Sequence, residues 1–133
     1  MAFVADNSVV LAWFVDTQAD DYTSAMLLRS IRETVHVPAL WPAEFANVIL
    51  SLMHRRSLKP AQMPKILDEL EQMDIVTDAA LPPVRALVDL GRRFALGAYD
   101  ASYLELAVRM RLPLAARDGP LRSAARRAGI LLS

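Results

Sequence analysis

The sequence has 133 residues, 54% of them hydrophobic, and its 15 basic residues balance its 15 acidic ones. This hydrophobic content is enough for a packed core, which argues against long disordered segments and predicts one domain over residues 1–133. Cysteine is absent and only two histidines are present, which excludes disulfides, thiolate chemistry and metal sites built from thiolates or clustered imidazoles. No apolar run reaches the roughly 18 residues of a membrane-spanning helix and no signal-peptide pattern is present, so we expect a cytoplasmic protein without a membrane partner.

Segments with strand character alternate with segments of helical periodicity along the whole chain. In order, the predicted elements are a strand ending at Asp6, a short helix capped by Ser8 that ends near Asp16, a helix from Asp20 to about Thr34, a strand at Val35–Val37 and a helix from Pro42 to about Arg56. There follow a helix from Pro60, a strand at Ile75–Thr77, a helix after Pro83, a helix from Tyr99 to about Met110, a strand at Pro113–Ala116 and an Arg-rich helix. The helix after Pro83 is expected to turn Val84, Leu87, Val88, Phe94 and Ala95 inward. Strands separated by helices are typical of parallel crossovers. The expected fold is α/β, a three-layer α/β/α sandwich with a mainly parallel central sheet.

Four acidic residues interrupt apolar context at predicted strand ends or first helical turns. They are Asp6, Glu44, Asp100 and Asp118. Each of them alone is explained more simply as a helix cap or a first-turn acid. In a parallel sheet, however, the ends of the strands and the starts of the following helices share one edge, so the four would converge. Converging carboxylates raise one another's pKa unless a cation is present, and Mg²⁺ or Mn²⁺ prefers such oxygen ligands.

The segments around these acids resemble the PIN-domain ribonucleases and, in size and layout, the VapC-type toxins of bacterial toxin–antitoxin pairs. The resemblance is carried by Val4–Ser8, Pro42–Asn47, Tyr99–Ala107 and Leu114–Leu121. It implies a metal-dependent endoribonuclease in which Asp6, Glu44, Asp100 and Asp118 form the acidic quartet that binds Mg²⁺ or Mn²⁺. It also implies a cognate antitoxin that neutralises the enzyme, and a homodimer.

One position departs from the pattern of that family. The family usually has Thr or Ser two residues before the last acid, and this sequence has Ala116. A hydroxyl that would orient a carboxylate or a metal-bound water is therefore missing, which predicts reduced metal affinity or rate. Ser8 and Asn47 are the candidates for replacing that support.

The mechanism expected from the resemblance is hydrolysis of an RNA phosphodiester by a metal-activated water. Asp6 and Asp100 would be the main ligands, while Glu44 and Asp118 would hold the ion through water or accept the proton. Arg117 and Arg122 are the candidates for binding the RNA backbone, because Arg donates two hydrogen bonds to a phosphate. They could equally neutralise Asp118.

Two other classes of protein compete with the nuclease. The first is a catalytically weak or inactive binding module whose acidic pocket receives an Arg of a partner protein, which Ala116 favours. A rise in melting temperature with Mn²⁺ would separate the nuclease from this module. The second is a phosphoacceptor domain of the receiver type, which needs a neighbouring acid pair and a late Lys. Here Asn7 follows Asp6, and the only lysines are Lys59 and Lys65.

Aromatic residues in the apolar helical runs are expected to pack in the core or at an interface rather than to stack on bases. They are Trp13, Trp41, Phe45 and Tyr103.

Overall fold

The central sheet consists of parallel strands in the computed structural model, which describes residues 1–117 and 119–133. Its strands are β1 (Ala2–Ala5), β2 (Thr34–Val37), β3 (Ile75–Thr77) and β4 (Leu114–Ala115), in the spatial order β3-β2-β1-β4. β1 pairs in parallel with β2, where Ala2 lies opposite Thr34, and with β4, where Val4 lies opposite Leu114. All strands therefore end at the same edge of the sheet, and β1 ends in the middle of it.

Seven helices within the described residues connect and cover the strands. They are α1 (Asn7–Ala12), α2 (Asp21–Ser30), α3 (Trp41–His54), α4 (Met63–Glu71), α5 (Val84–Phe94), α6 (Ala98–Met110) and α7 (Pro120–Arg127). Phe3, Val4 and Ala5 of β1 are completely buried, as expected for a strand covered by helices on both faces. The predicted α/β/α sandwich with a parallel sheet is confirmed. None of these helices has the length and apolar character needed to cross a membrane.

The predicted elements are all present, but some of their ends and faces differ. α1 is shorter than predicted, and a separate 3₁₀ turn forms at Asp16–Gln18. Pro60 begins a 3₁₀ turn rather than α4. α4 starts at Met63 because Pro64, which has no N–H, then lies in the first turn, where an N–H would have no intrahelical acceptor.

The prediction for the inner face of α5 is only partly confirmed. Phe94 packs against the core as predicted. Val84 and Val88 are 78% and 50% exposed and Ala95 is also exposed, whereas Leu90, which was not predicted inward, packs against the core. Because α5 packs mainly on α6 at the outside of the fold, only a narrow stripe of this helix is covered. Its periodicity therefore does not tell which of two partly apolar faces turns inward.

Candidate active site

A cleft of about 330 Å³ opens where the strands end and is lined by carboxylates from three elements. Asp6 directly follows β1, Glu44 lies in the first turn of α3, and Asp100 lies in the first turn of α6. The parallel topology brings these three residues to one place although they are far apart in sequence. The fourth predicted acid, Asp118, lies outside the described residues.

Asp6 is held by the start of the helix that follows it. Its Oδ1 accepts hydrogen bonds from the backbone N–H of Val9 at 2.9 Å and from Oγ of Ser8 at 2.8 Å. Asp6 is thus the N-cap of α1, and the prediction that Ser8 caps this helix is wrong. Ser8 lies in the first turn and instead donates its hydroxyl to the cap. The reason is geometric, because the cap is the residue with extended backbone just before the helix, and β1 ends one residue before Asp6.

Burial raises the pKa of Asp6 to about 6, from 3.8. The hydrogen bonds from Val9 and Ser8 act in the opposite direction because they stabilise the ionised form, and the charges of Asp100 and Glu44 raise the pKa further. Ionised Asp6 is therefore destabilised by its surroundings. A bound cation would relieve this.

Glu44 is held by an aromatic hydroxyl. Tyr103 of α6 is almost completely buried and donates its hydroxyl to Oε1 of Glu44. Burial raises the pKa of Glu44, the bond from Tyr103 lowers it, and the charge of Asp100 raises it. Burial and the Glu44 carboxylate raise the pKa of Tyr103 well above its ordinary value, so Tyr103 remains a donor.

The cleft as a whole disfavours negative charge. Burial also raises the pKa of Asp100, so all three described carboxylates are harder to ionise than free acids. Carboxylate oxygens are the donors that Mg²⁺ and Mn²⁺ prefer, and this donor set fits a divalent cation. Among residues 1–117 and 119–133, however, no three His, Asp or Glu side chains are grouped so that they could hold a metal ion. The described part of the chain therefore provides carboxylate oxygens of the kind that bind a divalent cation, but it does not by itself provide three grouped ligands for one ion.

The other predicted site residues are only partly brought to this cleft. Ser8 lines it beside Asp6, and Arg117 lines it as well. Asn47 is exposed and lies in an adjacent cleft that Glu44 also lines. Asn47 lies one turn of α3 after Glu44 and lines this adjacent cleft instead of the cleft that contains Asp6.

The two predicted RNA-binding arginines flank a second, smaller polar pocket. Arg117 is 3.4 Å from Oδ2 of Asp20, and this pocket of about 310 Å³ is lined by Asp20, Tyr22, Arg117 and Arg122. The guanidinium of Arg122 lies 4.7 Å from the ring centroid of Tyr22 and donates to the backbone carbonyl of Ala116 at 2.7 Å. Arg117, which lines both spaces, connects the two.

A hydroxyl group lies beside Ala116 although Ala116 itself has none. The backbone N–H of Ala116 donates to Oη of Tyr22 at 3.2 Å, and this hydroxyl donates to the carbonyl of Leu132 at 2.6 Å. Tyr22 and Arg122 thus hold the end of β4, the strand that leads toward Asp118.

Sequence reasoning missed two residues of the cleft. Tyr103 does pack in the core as predicted, but its hydroxyl also contacts Glu44, and no local pattern reveals a bond between residues that are 59 positions apart. Asn7 lines the cleft with a buried side-chain oxygen that has no hydrogen-bond partner in the described part of the chain. The available signal was a polar amide between Asp6 and Ser8 in an otherwise apolar stretch.

Comparison with known proteins identifies the class. Residues 3–127 match the PIN domain family, and the chain belongs to that family. A search of curated proteins finds no match. Among solved structures, the crystal structure of PAE2754 from Pyrobaculum aerophilum is similar, with a TM-score of 0.67 over 93% of this chain and 79% of that one, at 18% sequence identity. At this identity the similarity shows a shared fold. Membership of the PIN family suggests nuclease-type activity, which PIN domains typically carry out with divalent metal ions.

Proposed function

We propose that this protein is a metal-dependent endoribonuclease that hydrolyses RNA phosphodiester bonds, with Asp6, Glu44, Asp100 and Asp118 as its catalytic acids. The observation that carries the proposal is that three carboxylates, Asp6 after β1, Glu44 of α3 and Asp100 of α6, line one cleft and each has a raised pKa. Such a cluster is unfavourable unless a cation binds there. The PIN family match supports nuclease-type activity.

Mg²⁺ or Mn²⁺ would be held by Asp6 and Asp100, with Glu44 and Asp118 assisting. The chemistry that a divalent ion supplies at such a site is activation of water and neutralisation of phosphate charge. Ser8 and the Val9 N–H fix Oδ1 of Asp6, which orients this carboxylate. Tyr103 orients Glu44 in the same way, and Glu44, with its raised pKa, is the candidate to accept a proton.

Arg117 is the proposed contact to the RNA backbone, and Arg122 is proposed to support it. Arg117 lines the cleft, and its partner Asp20 is an exposed acid at 3.4 Å, a contact weak enough for a phosphate to replace it. Arg122 is engaged with Ala116 and Tyr22, so we assign it the role of shaping the polar pocket next to Arg117. Because Arg117 lines both the cleft and this pocket, an RNA chain bound in the cleft would have a place for a neighbouring phosphate in the pocket.

The toxin role rests on the resemblance to VapC-type toxins, and one surface of the protein supports it. An almost purely apolar groove of about 300 Å³ lies between α3 and α4, and it is lined by Trp41, Pro42, Phe45, Ala46, Ile49, Leu50, Met63, Leu67 and Leu70. Glu44 is on the same helix, α3. An apolar antitoxin segment in this groove could therefore extend an Arg to the carboxylates. A second copy of the chain is the other occupant that we consider, since a homodimer is expected.

The proposed activity is tested by RNA cleavage with Mg²⁺ or Mn²⁺. We expect Asp6→Asn and Asp100→Asn each to lower the rate by about 100-fold, because each removes a charged ligand. Asp89→Asn, which changes an exposed acid of α5, should cleave at the wild-type rate. In cells, induction of the wild-type chain should stop growth and induction of Asp100→Asn should not. Undiminished cleavage by both site variants would disprove the assignment.

A binding module remains the second candidate function, and two observations favour it. The described residues contain no complete metal-binding group, and Ala116 lacks the hydroxyl usual in the family. In this alternative, the three carboxylates receive an Arg of a partner protein, which would relieve their repulsion as a metal ion does. A rise in melting temperature with Mn²⁺ would separate the enzyme from the binding module.

A further inference from the structure

The cleft contains a buried amide that nothing in the described protein satisfies. Asn7 is 7% exposed and lines the cleft next to Asp6. Its Oδ1 has no hydrogen-bond partner among residues 1–117 and 119–133. A buried polar group without a partner destabilises a protein by the lost hydration of that group. The amide therefore has the properties of a group that is satisfied by a ligand.

The other polar side chains that line the cleft either contact another protein group or cannot both donate and accept hydrogen bonds. Ser8 donates to Asp6, Tyr103 donates to Glu44, and Arg117 contacts Asp20. Ionised carboxylates only accept hydrogen bonds, and a guanidinium only donates them. Among the described lining residues, Asn7 is thus the neutral group that can both donate and accept and that has no protein partner at Oδ1.

We propose that the Asn7 amide binds the ribose 2′-hydroxyl of the nucleotide at the scissile phosphate and so selects RNA over DNA. The inference rests on the proposed ribonuclease function. The 2′-hydroxyl is both donor and acceptor, it adjoins the phosphodiester, and it is the group by which a protein distinguishes RNA from DNA. Asn7 lines the same cleft as Asp6, Glu44 and Asp100, so a phosphate held near these carboxylates would have its neighbouring 2′-hydroxyl in the space that the amide lines.

The test compares two substrates that differ in one oxygen atom. A short single-stranded RNA that the wild-type enzyme cleaves at a mapped position is synthesised again with 2′-deoxyribose at the nucleotide before the cut. For the wild type, kcat/KM should fall about tenfold on the deoxy substrate, as expected for the loss of one hydrogen bond to a buried group. Asn7→Ala should lose about tenfold on the RNA and nothing further on the deoxy substrate.

Two controls keep the result specific. Gln72→Ala removes an exposed amide at the end of α4 and should behave as the wild type on both substrates. Asn7→Leu keeps the branching of the side chain at Cγ and puts methyl groups in place of the amide oxygen and nitrogen, so it is the second variant if Asn7→Ala does not fold. The melting temperature of either variant should lie within a few degrees of the wild-type value, because no hydrogen bond to Oδ1 is lost within the described protein.

The outcomes separate this inference from the function on which it rests. If the Asn7 variants and the deoxy substitution lower kcat/KM additively, the amide does not bind the 2′-hydroxyl and the inference is overturned, while RNA cleavage itself stands. The same holds if the Asn7 variants change only the Mn²⁺ concentration needed for activity. If the wild type cleaves no RNA, the proposed function fails and the inference fails with it.

Discussion

The positions of the three described carboxylates in the cleft raise their pKa values. Asp6, Glu44 and Asp100 are all partly buried and close enough for their charges to interact. Burial and repulsion both favour the protonated form. When no cation is bound, the ionised forms of these three residues therefore destabilise the folded protein.

This cost predicts a pH dependence of stability. The pKa of Asp6 is raised from 3.8 to about 6, so between these values the folded protein binds a proton that the unfolded chain has released. The free energy of unfolding therefore falls as pH rises through this window, by up to about 3 kcal/mol for Asp6. Asp6→Asn keeps the helix cap without the charge and should lack this loss.

The measurement is urea unfolding of both proteins in chelator from pH 4.5 to 7.5. The difference between them reports the titration of Asp6 together with its charge interactions with Glu44 and Asp100, because every other titrating group is shared. Asp6→Asn should be the more stable protein at neutral pH. A wild type that gains stability over Asp6→Asn as pH rises would show that Asp6 is not destabilised by burial.

Tyr103→Phe tests the support of Glu44. Loss of the hydroxyl leaves Oε1 of Glu44 without its donor, so we expect a loss of about 1–3 kcal/mol in stability and about tenfold in cleavage rate. Tyr99→Phe is the matched control, because Tyr99 lies on the same helix and is 71% exposed. Equal effects of the two substitutions would contradict a role for the Tyr103 hydroxyl.

At the residue scale, sequence predicts the acids better than their partners. Asp6, Glu44 and Asp100 stand out because each carries charge into an apolar segment at a strand end or helix start. The residues that hydrogen-bond to these acids are harder to predict. The bond between Tyr103 and Glu44 depends on tertiary contact. The helix cap depends on where the helix starts, and it is Asp6 rather than the predicted Ser8. Neither is encoded in local pattern.

At the scale of elements, the positions of strands and helices are well predicted, because proline marks helix starts and apolar runs mark buried strands. The strand Ile75–Thr77 has the predicted bounds, and α3 begins at the turn that contains Pro42. Helix faces are less certain where burial is shallow. The exposed Val84 and Val88 of α5 show that apolar residues at helical spacing need not lie inside.

The connection between α5 and α6 depends on a glycine that sequence did not single out. A Cβ on Gly91 would lie 2.8 Å from the carbonyl oxygen of Leu96, whose N–H bonds back to the Gly91 carbonyl. Gly91→Ala should therefore cost about 1–3 kcal/mol, since backbone must move. Gly97→Ser is the control, because a Cβ there meets nothing within 4 Å and Ser caps a helix at least as well as Gly. Urea unfolding checks both, and a stabilised Gly91→Ala would contradict the contact.

At the scale of the whole molecule, parallel topology explains how a sequence can predict the location of a site. Every described strand ends at one edge, so residues that follow different strands meet there. α3 contributes both Glu44 to the cleft and apolar residues to the groove beside α4. A partner in the groove and a ligand in the cleft would therefore contact the same helix, which is the physical basis for the proposed control by an antitoxin.

The claim that the carboxylates form a divalent cation site is tested most directly by the melting temperature at neutral pH with and without millimolar Mn²⁺. A cation that binds only the folded protein stabilises it by mass action, about 2.7 kcal/mol at 100 times its dissociation constant, so the melting temperature of the wild type should rise by about 10 °C. Asp100→Asn should lose most of this rise, and Asp89→Asn should keep it. No shift in the wild type would contradict the metal-dependent enzyme and favour the Arg-binding module.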